Sequence, residues 1–151
     1  MGSGWITAAF GLGGVLVGGV VNAGVAMFND WRAREHGVRS AARLVRTEVQ
    51  LISNVAGASL VSNTYGPKLV DGLPKAEWDA NRQVLADGLK SSAWGAVSDV
   101  YTAIDHIEIG MALNMPPTRP IDPLEANDRT AVQHLKGACG LALERLQASI
   151  D

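Results

Sequence analysis

Charge is what this chain lacks first. From Trp5 to Phe28 run 24 residues without one Asp, Glu, Lys or Arg. Cysteine is almost missing as well: Cys139 stands alone, which excludes an internal disulfide and any zinc-ligand spacing and fits a reducing compartment. The signatures of chemistry are missing too. No Glu-x-x-His pair occurs, so the two-metal helical bundles are excluded. The glycines between Gly11 and Gly19 are not followed by the Lys-Ser/Thr of a phosphate loop. Neither G-x-S-x-G nor S-x-x-K is present, which leaves nucleophilic catalysis without a signature. A net charge of -2 and a pI near 5.9 give no basic field for nucleic acid. The expectation is a chain without catalytic, metal or cofactor-binding residues.

What is present begins with that uncharged run. At 24 residues it exceeds the roughly 20 needed to cross the hydrocarbon of a bilayer. Ten Leu, Ile, Val or Phe side chains favour insertion by about 0.3 to 0.6 kcal/mol each, opposed by six Gly and Asn22. Trp5 and Trp31 bracket it as interfacial anchors, about 39 Å apart at helical rise, close to the full headgroup-to-headgroup thickness. Arg32, Arg34, Arg39, Arg43 and Arg46 follow on one side only, where they act as topology determinants and meet lipid headgroups. The charge pattern is that of a single-pass protein of the inner (plasma) membrane, N-terminus outside and C-terminal domain cytoplasmic. A cleaved signal peptide would carry its charges at the other end. Thr7, Gly11, Gly14, Gly18 and Asn22 recur at helical spacing, with Gly14 and Gly18 as a GxxxG pair. That stripe predicts a homo-oligomer formed through the transmembrane helix.

The remainder reads as helices. Val38, Ala42, Val45, Val49, Ile52, Ala56 and Leu60 make one apolar stripe, with Arg39, Arg43, Arg46, Glu48 and Gln50 off it. Asn29 and Asp30 either cap this helix or lie inside a continuous one. Asn63, Gly66, Pro67, Gly72 and Pro74 predict a loop, with Pro74 in the first turn of a helix from about Lys75 to Leu89 whose apolar face is Trp78, Val84 and Leu85. Ser91 or Ser92 caps a helix carrying Trp94, Val97, Tyr101, Ile104 and Met111 inward. Pro116, Pro117, Pro120 and Pro123 impose an extended connection. The last helix spans about Leu124 to Ile150, with Ala131, Leu135, Ala138, Cys139, Ala142, Leu146 and Ile150 inward. The expected fold is all-α: residues 1–30 as tail and single N-terminal transmembrane helix, then residues 31–151 as a cytoplasmic four-helix bundle. Asp105, His106 and Glu108 form the only carboxylate and imidazole cluster, and a solvated helix face accounts for it. Trp78, Trp94 and Tyr101 read as core or as a groove for a partner helix.

A Gly-rich span, an interfacial Trp31 followed by Arg34, the run RSAARLVRTEV at residues 39 to 49, and then Trp78 and Trp94 resemble small membrane proteins of actinobacteria and their phages. Those proteins join one N-terminal span to a helical cytoplasmic domain. The resemblance implies the same topology and brings no activity, substrate or catalytic residue. The function expected is a membrane-anchored protein-interaction or scaffold module without catalytic activity, whose partners are the lipid bilayer, copies of itself and another protein. The alternative is a holin-like or toxin-like effector that oligomerises in the membrane, with Thr7 and Asn22 lining a pore.

Overall fold

The computed structural model describes residues 4–113 and 122–150, with side chains from Val25 onward. The chain is all-helical there: α1 (Gly4–Ser62), α2 (Gly66–Asp71), α3 (Ala76–Gly88), α4 (Ser91–Leu113) and α5 (Ala126–Ile150). No strand occurs among the described residues; a lone bridge joins Thr64 to Pro123. Two compact units divide the chain, Met1–His36 and Gly37–Asp151. Trp5, Thr7, Gly11, Gly14, Gly18 and Asn22 lie outside the residues whose side chains are described, as do Pro116, Pro117 and Pro120. From Val25 onward no helix is long and apolar enough to cross a membrane.

In the first unit α1 continues unbroken through Asn29 and Asp30, so neither caps a new helix. Val25, Met27, Phe28 and Trp31 are exposed. Phe28 and Trp31 approach at 6.1 Å between ring centroids, and the Arg32 guanidinium lies 4.6 Å from the Phe28 centroid.

The second unit is a helical bundle around one core. Val45, Val49, Ile52 and Ala56 of α1 meet Leu85 of α3, Val97, Val100 and Ile104 of α4, and Val132, Leu135, Cys139, Ala142 and Leu146 of α5, all at 0% exposure. Each large aliphatic side chain so enclosed contributes roughly 1.5–3 kcal/mol from burial before conformational entropy is set against it. The end of α3 meets α1 so closely that a Cβ on Gly88 would stand 2.1 Å from Val38 Cγ2. Val38 is β-branched and stiff, so glycine is what this contact admits.

Several expected details differ. The segment after Ser62 is not all loop, because Gly66 and Pro67 open the short helix α2 and Leu69 buries against the core. A proline there gives up an N–H that has no helical partner in the first turn, so it starts a helix at little cost. Pro74 precedes the Lys75 cap of α3 instead of lying in its first turn. Val84 is 41% exposed, since Trp78 and Leu85 already fill the α3 face toward the core. On α5 the inward line passes through Val132, leaving Ala131 and Ala138 half-buried. The helix begins at Ala126, and Leu124 makes a different contact. Its N–H donates to the Asn63 carbonyl at 3.0 Å, and Tyr65 N–H donates to Asp122 O at 3.2 Å.

That contact forms a clip between the end of α1 and the start of α5. Asn63 takes a left-handed backbone with φ 55°, a conformation Asn tolerates better than most residues. Arg129 Nη1 donates to Asn63 Oδ1 at 2.6 Å, Ser59 Oγ donates to Tyr65 O at 2.8 Å, and the Tyr65 hydroxyl donates to Asp128 Oδ2. Burial first, then the bond to Asp128, pushes the Tyr65 phenol up to about 12.

Candidate functional site

A set of polar and aromatic groups surrounds the beginning of α3. Lys75 occupies the cap position and offers no side-chain cap, so the first N–H groups of α3 need an acceptor from elsewhere. Glu48 of α1 supplies it. Its Oε2 accepts from Glu77 N–H at 2.9 Å and its Oε1 from Trp78 N–H at 3.1 Å. These are the second and third helical positions, the ones an ordinary N-cap side chain serves. Oε1 also accepts from the Tyr101 hydroxyl at 2.6 Å. Glu48 is 6% exposed, and a carboxylate so buried persists only with such donors and with the positive end of a helix facing it. Burial, followed by the bond to Glu48, holds the Tyr101 phenol far above its ordinary range.

The expectation that Glu48 lies off the buried stripe is therefore corrected. It flanks Val49, and the side of α1 it occupies is covered by the start of α3. No local pattern distinguishes such a residue from a solvated one, because its partners are 29 or more residues downstream.

The aromatics do come together. Trp78 stacks on Tyr101 at 4.6 Å and 8° between planes, and on Trp94 at 5.1 Å and 26°. Tyr101 is buried while the two tryptophans are half-buried. Offset stacks of this kind add roughly 0.5–1.5 kcal/mol per pair beyond burial. The three side chains pack against each other between α3 and α4, with both indoles partly exposed.

Asp105 and Glu108 turn out to be paired. Lys75 Nζ lies 2.7 Å from Glu108 Oε2 and 3.2 Å from Asp105 Oδ1. The bond to Glu108, ahead of the one to Asp105, raises the Lys75 ammonium above its ordinary value against the opposing effect of burial. His106, between these carboxylates in sequence, turns away to an open cleft of 540 Å³ between α4 and α5, which it lines with Asp99, Thr102, His134 and Leu141. His106 and His134, which both line this cleft, lie 28 residues apart, and no motif announces that they share it. Among the described residues no group of three His, Cys, Asp or Glu is arranged to hold a metal ion. Every buried side-chain polar atom among them has a hydrogen-bond partner.

Cys139 is fully buried, and burial pushes its thiol up to about 11, which makes it a poor nucleophile. No family model, curated protein or solved structure matches the chain.

Proposed function

We propose that the chain is a membrane-anchored, non-catalytic helical module that holds its Gly37–Asp151 bundle at the inner face of the plasma membrane, where it binds another protein. The anchor is the uncharged run from Trp5 to Phe28, crossing once with the N-terminus outside, as in the small actinobacterial and phage proteins it resembles. The observation that carries the reading is the exposed band at residues 25 to 34. Val25, Met27, Phe28 and Trp31 are 54%, 74%, 50% and 59% exposed, with Arg32 stacked over Phe28 and Arg34 exposed nearby. Water is a poor solvent for such a set, whereas a headgroup layer takes both the rings and the guanidinium groups.

The test is alkaline carbonate extraction of membranes from cells expressing the full chain, together with impermeant thiol labelling of Lys68→Cys in intact cells. Retention in the membrane and protection of residue 68 are expected. Release by carbonate would overturn the anchor, and labelling from outside would overturn the orientation. Loss of membrane potential on expression, relieved by Gly14→Leu with Gly18→Leu, would instead select the holin-like alternative.

A further inference from the structure

The helix α1 carries a second stripe diametrically opposite its buried one. Leu44, Thr47, Leu51, Asn54, Ala58 and Val61 follow strict alternating spacings of 3 and 4, the 3.5-residue period of a coiled-coil seam. All six are exposed, with Leu44 at 46%, Leu51 at 47% and Val61 at 91%. A lone exposed leucine means little. The absence of charge means more: none of the six is charged, and from Val49 to Pro67 the chain holds no Asp, Glu, Lys or Arg at all. Depletion of charge marks the centre of interfaces.

We propose that this face docks on the same face of a second copy of the chain, in parallel and in register. Electrostatics admit that occupant, and Asn54 points to it. In a symmetric pair each seam position meets itself, so a charged position would face its own sign, and this seam carries none. Asn54 has an acceptor and a donor on one carboxamide, and the Gln50 side chain already donates to its Oδ1 at 3.2 Å. Meeting its own copy, it forms a hydrogen bond that only the in-register pairing satisfies, which is how a single seam Asn fixes alignment. Parallel orientation rests on the proposed anchor, because two copies inserted with the same topology send α1 from the membrane in the same direction.

The full chain carrying Ala58→Cys, oxidised in native membranes, should form a disulfide-linked dimer, whereas Gln133→Cys on α5 and the native chain should not. Adding Leu44→Glu and Leu51→Glu should lower the crosslinked fraction about tenfold or more, since four carboxylates would then enter the seam, while helicity by circular dichroism stays unchanged. A crosslink that survives these two changes but is lost with Gly14→Leu and Gly18→Leu overturns the seam and leaves the anchor. A crosslink formed only between Leu44→Cys and Val61→Cys overturns the parallel register. A carbonate-soluble chain whose Ala58→Cys crosslink still depends on Leu44 and Leu51 overturns the proposed function and keeps the seam.

Discussion

Two carboxylate centres stand near the start of α3, and they differ in almost every physical respect. Glu48 is enclosed and bound by three donors, two of them backbone N–H groups. Asp105 and Glu108 stand at the surface around one ammonium, with side chains 59% and 36% exposed. The first centre joins α1, α3 and α4 and has no substitute for its acceptor oxygens, because water is shut out. The second links the cap of α3 to α4 in a medium that screens it and competes for its bonds. Number of contacts does not rank them; solvent does.

The largest effect is expected from Glu48→Ala, which leaves three donors without an acceptor. It should lower the stability of the bundle by about 3 kcal/mol in urea unfolding of the full chain in mild detergent. A loss under about 1 kcal/mol would mean that water reaches the site and that the two centres are alike. Tyr101→Phe keeps the stacked ring and removes only the O–H donor, so the expected loss is about 1.5 to 2 kcal/mol. Combining it with Glu48→Gln should cost less than the sum of the two, since they share one hydrogen bond.

Alkali tests the same enclosure without substitution. The chain has two tyrosines, Tyr65 and Tyr101, and both phenols are raised, Tyr65 to about 12. Each neutral phenol is favoured in the folded state. Stability from Tyr65 is therefore complete below pH 10, the ordinary phenol value, and falls as pH climbs toward 12. Absorbance at 295 nm should show no tyrosinate step at pH 10 in the folded chain and a full one in 8 M urea. A step at pH 10 in the folded chain would contradict the burial of both rings. The smallest effect belongs to Lys75→Met, expected within about 1 kcal/mol and vanishing at high salt. A larger, salt-insensitive loss there would erase the contrast between the centres.

How much of this was legible in the sequence follows from where the partners lie. Val45, Val49, Ile52 and Ala56 repeat at 3 and 4 and are all buried, as are Val97, Tyr101 and Ile104 on α4, because a helix reports its own inward face through periodicity. Trp78, Trp94 and Tyr101 were recognisable as a set of large aromatics, and they stack. Glu48 was not legible as buried, since one carboxylate beside a stripe looks the same whether α3 covers it or water does. The cleft shared by His106 and His134 was hidden for the same reason: it is made by the packing of α4 on α5, which no local pattern encodes. The short helix α2 was masked by Gly66, Pro67 and Gly72, residues that end helices as readily as they begin them.

The stacked rings have an optical consequence. Four tryptophans occur in the chain, and within the Gly37–Asp151 unit the indoles are Trp78 and Trp94, held 5.1 Å apart with Tyr101 against one of them. Chromophores that close and fixed in orientation couple their transitions and give a paired positive and negative band in circular dichroism. The bundle thus carries its own spectroscopic gauge of whether α3 is seated on α4, readable without a label. Its collapse on removal of Glu48 would register the release of α3 even while every helix stays wound.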